Sequence, residues 1–256
     1  MTSDLFSIRG KVAVVTGGSR GIGLMIARGF VNAGARVYIS ARKAEACNAA
    51  AAELSKIGEC ISVPADLGTL EGVRHLAGEV SAREKLLHVL VNNAGATWGA
   101  PLEEFPESGW EKIMAINVKG VFQLTVQLLP LLRRAASKDD PARVINIGSI
   151  DGIRVPRFDN FSYSASKAGV HMLTRHLATK LVSENISVNA IAPGLFPSKM
   201  TQFLFEGLGE EAASSSIPMG RPGREDDIAG TAIFLSSRAG AYLTGAVIPV
   251  DGGVTM

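Results

Sequence analysis

Thr16-Gly17-Gly18-Ser19-Arg20-Gly21-Ile22-Gly23 is the stretch from which the rest of the chain is read. Residues 11–16 ahead of its glycines form a short β-branched run, and a helical pattern follows to about Ala33. The glycines are spaced Gly-x-x-x-Gly-x-Gly. Without side chains in the way, backbone amides at a helix N-terminus can close on an anion. An ordinary glycine-rich turn has the same composition, but a strand before it and a helix after it favour the pyrophosphate of a dinucleotide. Gly17, Ser19, Arg20, Gly21, Ile22 and Gly23 are the expected cradle.

Outward from this turn, short apolar runs alternate with helical patterns. Strands are expected at 36–41, 60–63, 87–91, 143–147, 187–191 and 247–250. Helices are expected at 44–56, 70–82, 107–135, 162–182, 198–214 and 225–235. Strands that are apolar on both faces belong in a parallel sheet covered on both sides. The expected fold is therefore α/β, a Rossmann-type doubly wound parallel sheet of about seven strands with helices on both faces. No linker or repeat divides residues 1–256, so one domain is expected, with a substrate lid near residues 195–216. In such sheets ligands sit beyond the carboxyl ends of the strands.

The composition narrows the partners. A net charge of +2 with interspersed signs argues against nucleic acid. Cys47 and Cys60 have no metal-ligand spacing and read as reduced thiols, and the four histidines are scattered, so no metal is expected. The N-terminus lacks a signal-peptide pattern, and the apolar run 121–132 is too short to span a bilayer. A cytoplasmic protein with no membrane partner is the expectation.

Strand ends carry the remaining signals. At the second strand, Ile39-Ser40-Ala41-Arg42-Lys43 has no carboxylate for ribose hydroxyls. Arg42 and Arg20 can clamp a 2′-phosphate and Ser40 can add a hydrogen bond, so the expected cofactor is NADP(H). After the third strand, Asp66-Leu67 offers a carboxylate to an adenine amino group; helix capping is the competing role for Asp66. After the fourth, Asn92-Asn93-Ala94-Gly95 supplies two amides that can knit strands or line a pocket. Tyr163 and Lys167 lie four apart, one helical turn, on one face. A fixed cation beside a phenol is expected to lower its pKa, fitting it for proton exchange with a carbonyl or alcohol.

Glycine turn, Asn-Asn-Ala-Gly and Tyr-x-x-x-Lys, in that order, resemble the short-chain dehydrogenase/reductase family over residues 8–256, and within it the 3-oxoacyl reductases. The resemblance implies a catalytic set of Asn117, Ser149, Tyr163 and Lys167. Ser149 would hold the substrate oxygen and Tyr163 would be the acid/base. Lys167 would tune Tyr163 and bind the nicotinamide ribose, and Asn117 would kink the long helix and hold a water beside the lysine. It also implies cofactor contacts from Asn93, Ala94, Gly95, Pro193, Gly194, Phe196 and Ser198, and a homotetramer.

Two departures bear on substrate. Ser149 and Tyr163 are fourteen apart where thirteen is commoner, and the loop between them carries Asp151, Arg154, Arg157, Phe158 and Asp159. Glu184 stands where carrier-protein reductases have a basic residue, leaving Arg133 and Arg134 as basic contacts for an acyl carrier protein. The expected reaction is reduction of a ketone, foremost a 3-oxoacyl thioester. Apolar residues Met200, Phe203, Leu204, Phe205 and Leu208 of the lid suit a chain-like substrate. The alternatives are another ketone (sugar, cyclic, steroid or aromatic) and a cofactor-binding regulator without turnover.

Overall fold

The computed structural model describes residues 2–156, 158–198, 201–202 and 214–256. Arg157, Met200, Phe203, Leu204, Phe205 and Leu208 lie outside the described residues, as does most of the expected lid and of the helix at 198–214.

Seven strands form one sheet: β1 Val12–Thr16, β2 Arg36–Ser40, β3 Cys60–Ser62, β4 Val89–Asn92, β5 Ala142–Ile147, β6 Ile186–Pro193 and β7 Val247–Val250. The order is β3-β2-β1-β4-β5-β6-β7 and every pairing is parallel. The chain winds outward from β1 in one direction, then returns past it through β4. The β1/β4 junction is therefore the switch point at which such sheets open a crevice. Register sets Thr16 opposite Ser40, and Asn92 opposite Asn146.

The strands are apolar on both faces because both are covered. A short α1 (Thr2–Leu5) precedes the sheet. On one face Val15, Ile39, Val91 and Ile145 pack with Ile26 and Phe30 of α2 (Gly21–Asn32), Cys47 and Leu54 of α3 (Ala44–Leu54), and Ile228 and Ala232 of α7 (Glu225–Ser236). Gly29 lets α2 and α7 touch; a Cβ there would come within 2.6 Å of the Ala229 methyl. On the other face Val14, Leu90, Val144 and Val188 pack with Leu76 of α4 (Leu70–Arg83), Leu124 and Leu128 of α5 (Gly120–Ala135), and Ala178 and Leu181 of α6 (Phe161–Leu181). Burying each such side chain contributes about 1.5–3 kcal/mol before chain entropy is counted.

The expected long helix is continuous but not uniform. An α-helical segment at Glu107–Met114 runs into a π-helical turn at Ala115–Lys119 before α5 begins. Its whole span, Glu107–Ala135, is long and apolar enough by length and composition to cross a membrane, beyond the 121–132 run read from sequence. Here Val121, Leu124, Leu128, Leu131 and Leu132 are buried. Just after the turn the helix passes close to the chain at Leu67: at Gly120 a Cβ would stand 2.4 Å from the Leu67 carbonyl oxygen, so only glycine fits.

Candidate active site

The glycine turn is held from β4. Thr16 Oγ1 donates to the Val91 carbonyl (3.2 Å) and accepts from the backbone amides of Asn93 and Ala94 (both 2.9 Å). The Asn93 side chain donates through Nδ2 to the Thr16 carbonyl at 2.8 Å. Gly17 has φ +67° and Gly21 φ +54°, a region that strains any residue with a side chain. At Gly23 a Cβ would come within 2.3 Å of Asn93 Nδ2 and 2.4 Å of the Gly17 carbonyl oxygen. The turn, the N-terminus of α2 and the end of β4 are thus locked as one unit, with Arg20 in extended backbone immediately before the helix. This is the arrangement a pyrophosphate requires.

The neighbouring end of β2 fits a phosphate as well. Ser40 is buried, and its hydroxyl has no hydrogen-bond partner among the described residues. Arg20 and Arg42 are exposed, and neither forms an ion pair among the described residues. A 2′-phosphate placed there would meet a hydroxyl and two uncommitted guanidiniums. Asp66 is exposed, and its carboxylate accepts from the Gly68 amide at 3.0 Å. It is not the helix cap; Thr69 caps α4 by accepting from the Gly72 amide. Leu67 beside it is buried in the core.

Asn117, Ser149, Tyr163 and Lys167 converge from three segments, the π turn, the end of β5 and α6, at the same edge of the sheet. Lys167, 5% exposed, rises from α6 and donates through Nζ to the carbonyl of Ile147, the last residue of β5 (2.7 Å). Its Nζ also lies 5.5 Å from the centre of the Tyr163 ring. Asn117 sits in the π turn, where its side chain grips the loop after β4. Its Oδ1 accepts from the Ala96 amide (2.9 Å), and its Nδ2 donates to the Ala96 carbonyl (3.0 Å) and to Ser166 Oγ (2.9 Å). Ser166 in turn donates to the Tyr163 carbonyl at 2.7 Å. Gly95 permits the convergence, since a Cβ there would lie 3.0 Å from Asn117 Oδ1 and 3.7 Å from Lys167 Nζ. Ser149 is buried after β5, and its Oγ accepts from the Asp151 amide at 3.1 Å, capping a short 3₁₀ turn, Ile150–Gly152. An acceptor bond leaves the Ser149 hydroxyl proton to be shared between the Tyr163 oxygen and a ligand.

The electrostatics differ from the sequence expectation. Burial pushes the Tyr163 phenol up to about 12; hydrogen bonding with Ser149 pulls the other way, and the nearby Asp151 charge adds to the rise. Burial brings the Lys167 ammonium down to about 8. A phenol lowered by its lysine neighbour is therefore not what this pocket shows. Desolvation dominates, and the ammonium is engaged by a carbonyl rather than by the phenol oxygen. At neutral pH the site holds a protonated phenol and a largely protonated lysine.

Where the chain leaves β6, Pro193 closes the strand and Gly194 donates its amide to the Val250 carbonyl at 3.0 Å. A Cβ on Gly194 would touch Asp251 Cα at 2.8 Å, so only glycine lets the chain leave the sheet this close to β7. Phe196 is buried, and its carbonyl accepts the Thr201 hydroxyl at 2.6 Å. The Ser198 amide donates to the same hydroxyl at 3.0 Å. Thr201, Ser166 and the hydroxyl of Thr16 are organising groups that the sequence reading did not single out. Each is a small hydroxyl residue: Thr16 and Thr201 bond backbone across the sheet or within a loop, and Ser166 links the Asn117 side chain to the Tyr163 carbonyl, so no spacing rule marks them.

Arg133 and Arg134 are not held ready for an acidic partner. Arg133 forks onto Glu184 (2.5 and 3.1 Å), and Arg134 donates to the Lys85 carbonyl. The residue expected to replace a carrier-gripping cation instead neutralises one of the two expected substitutes.

Comparison with known proteins places this geometry. Residues 11–209 match the family model described as short chain dehydrogenase. The rhamnolipids biosynthesis 3-oxoacyl-[acyl-carrier-protein] reductase of Pseudomonas aeruginosa is 56% identical over 252 residues, 97% of each chain. A solved Pseudomonas aeruginosa RhlG/NADP active-site complex superposes with a TM-score of 0.96 at 54% identity, covering 99% of both chains. A galactitol 2-dehydrogenase (L-tagatose-forming) of Cereibacter sphaeroides is 37% identical over 255 residues, 98% of each chain.

Proposed function

The chain belongs to the short-chain dehydrogenase family, and from that premise we propose that it reduces a 3-oxoacyl thioester to the 3-hydroxyacyl product with NADPH. The observation that carries this reading is the convergence of Asn117, Ser149, Tyr163 and Lys167 beside the glycine turn, at one edge of the sheet.

Gly17, Ser19, Gly21, Ile22 and Gly23 would hold the pyrophosphate, and Ser40, Arg20 and Arg42 the 2′-phosphate. Asp66 and Leu67 would flank the adenine. Asn93, Ala94, Gly95, Pro193, Gly194, Phe196 and Ser198 would line the nicotinamide end, with Lys167 on its ribose. The bound cofactor supplies hydride to the carbonyl carbon. Ser149 and Tyr163 hold the carbonyl oxygen between two hydroxyl donors, and Tyr163 gives it a proton. A phenol near 12 is in the donating form that reduction requires. Lys167 keeps a positive charge beside that proton below about pH 8. Asn117, by fixing Ala96, keeps the loop after β4 from collapsing into the pocket.

Exposed Ile153, Val155 and Phe158 on the loop between Ser149 and Tyr163 give an apolar chain somewhere to lie. The Arg133–Glu184 pair favours a coenzyme A thioester over a thioester delivered by an acidic carrier protein. Exposed Phe122 and Val126 on α5, Met172 on α6 and Tyr242 suit a homotetramer built through these helices and the C-terminal segment. A cytoplasmic enzyme acting as a single domain over 1–256 completes the proposal. Reduction of a sugar or polyol-derived ketone is the second reading, favoured by the charged loop residues Asp151, Arg154 and Asp159 and by likeness to the galactitol enzyme.

The test is NADPH oxidation with acetoacetyl-CoA and with L-tagatose, in wild type and Tyr163→Phe. The expected result is turnover of the thioester, at least tenfold preference for NADPH over NADH, and a loss of about 100-fold or more in Tyr163→Phe. Turnover of the sugar alone would replace the first reading by the second. Undiminished activity in Tyr163→Phe would remove the proposed mechanism.

A further inference from the structure

The loop between Ser149 and Tyr163 contains a carboxylate that the mechanism above leaves unused. Asp151 is the middle residue of the 3₁₀ turn that starts directly after Ser149. It is half-buried, and it is bracketed by the two residues that frame the reacting oxygen site. Its backbone amide donates to Ser149 Oγ at 3.1 Å. Its Oδ2 accepts from Asn160 Nδ2 at 3.3 Å. Asn160 is itself buried at the start of α6, where its carbonyl accepts the backbone amide of Tyr163 at 2.9 Å. Asp151 Oδ1 accepts no hydrogen bond among the described residues.

The turn cannot drift from this position. A Cβ at Gly152 would come within 2.6 Å of the Lys167 carbonyl carbon and 2.9 Å of His171 Cε1, so the loop is pressed onto α6 at the level of the lysine. The charge of Asp151 reaches the phenol, where it favours the neutral form of Tyr163. What acts on a phenolate acts on any other anion at that place. A substrate with a carboxylate next to its carbonyl would bring a second negative charge beside Asp151, in a half-buried site where water screens poorly.

We propose that Asp151 is a specificity-determining residue of the reduction described above, selecting uncharged carbonyl substrates, thioesters and esters, over those carrying a negative charge beside the reacting carbonyl. The inference rests on the reductase reading, and it adds the charge class of the substrate to it. Arg154 on the same loop and Tyr163 on α6 are the charged and titratable groups that interact with the carboxylate, and through Gly152 the turn packs on the Lys167 backbone and on His171. Arg154 attracts the carboxylate from the solvent side, while burial holds the Asp151 carboxyl above its ordinary value.

Ethyl acetoacetate and acetoacetate make the test, because they differ in charge beside a common ketone. Their kcat/KM values with NADPH are compared at low salt in wild type and Asp151→Asn, whose side chain still accepts from Asn160. The ester-to-acid ratio is expected to fall about tenfold or more, through a lower KM for the acid, with the ester changed little. Asp151→Glu, which keeps the charge, should keep the preference. A ratio unchanged in Asp151→Asn would overturn the proposal. A second readout does not need turnover: with ¹³C-labelled tyrosine, only Tyr38, Tyr163 and Tyr242 give signals. Tyr163 should titrate at lower pH in Asp151→Asn than in wild type, and an unmoved titration would show that the carboxylate does not face the phenol. Turnover of neither compound would defeat the specificity claim together with the reaction. A shifted titration would then locate the error in the reaction, and an unshifted one in the placement of Asp151.

Discussion

Lys11 and Lys167 are both buried, at 8% and 5% exposure, on opposite edges of one sheet. Lys11, at the amino edge, has its counter-ion: Nζ meets Asp140 at 2.7 Å and the Ser236 carbonyl at 3.0 Å. Arg143, 1% exposed, shares the same carboxylate at 3.1 Å and reaches the Leu235 and Ser237 carbonyls at 3.0 and 2.8 Å. Lys167, at the carboxyl edge, has a carbonyl and an aromatic face. Burial lowers both lysines, but at Lys11 the bond and charge of Asp140 oppose the shift, while at Lys167 burial acts alone. One cation fastens β1 and β5 to the end of α7. The other is kept poorly compensated where its proton can matter. A buried charge with its partner is architecture; the same charge without one is a cost that only a ligand or a reaction explains.

The largest expected effect comes from removing the unpartnered cation. Lys167→Met should lower kcat about 1000-fold, yet melt no earlier than wild type, because an uncompensated buried charge is replaced by an apolar chain. Steady-state rates and a thermal melt on the same preparation decide this; a large loss of stability would mean that Lys167 is structural like Lys11. Next is the partnered edge. Asp140→Asn strands Lys11 and Arg143 without a carboxylate and should cost about 3 kcal/mol in chemical denaturation, with activity per folded molecule preserved. The smallest effect is on pH dependence. Lys167 titrates near 8 in the folded chain and 10.5 when unfolded, so between these values the unfolded chain binds more protons and stability rises with pH. From pH 8 to 10 wild type should gain about 2 kcal/mol relative to Lys167→Met, read as the difference between their denaturation midpoints. Equal slopes would mean that the lysine is solvated rather than buried.

These two edges were not equally legible in the sequence. The carboxyl edge was, because its groups follow strands in a fixed order: the glycine turn, Asn92-Asn93-Ala94-Gly95, Ser149, then Tyr163 and Lys167 all fall where a parallel sheet gathers its loops. Among the described residues, strand and helix limits lie within a residue or two of expectation for the same reason; the helix expected at 198–214 falls mostly outside them. The Lys11–Asp140 pair joins residues 129 apart, and only the strand register makes it visible. The phenol's pKa was misread because spacing places a lysine near a tyrosine but says nothing of how dry the site is. Asp151 was seen as loop charge; its direction depends on Asn160, nine residues on, and on how closely Gly152 packs against α6.

The π turn at Ala115–Lys119 separates two things that most catalytic residues couple. It is a wider π-helical turn with α-helix on both sides, the geometry that one surplus residue in a helix produces. The helix could lose that residue, close up, and still press Val121, Leu124 and Leu128 to the sheet. What would go is the sideways reach by which Asn117 grips Ala96. The turn is therefore a detachable module: deletion of one of its residues should erase the Asn117–Ala96 grip and turnover, while the thermal melt stays near that of wild type.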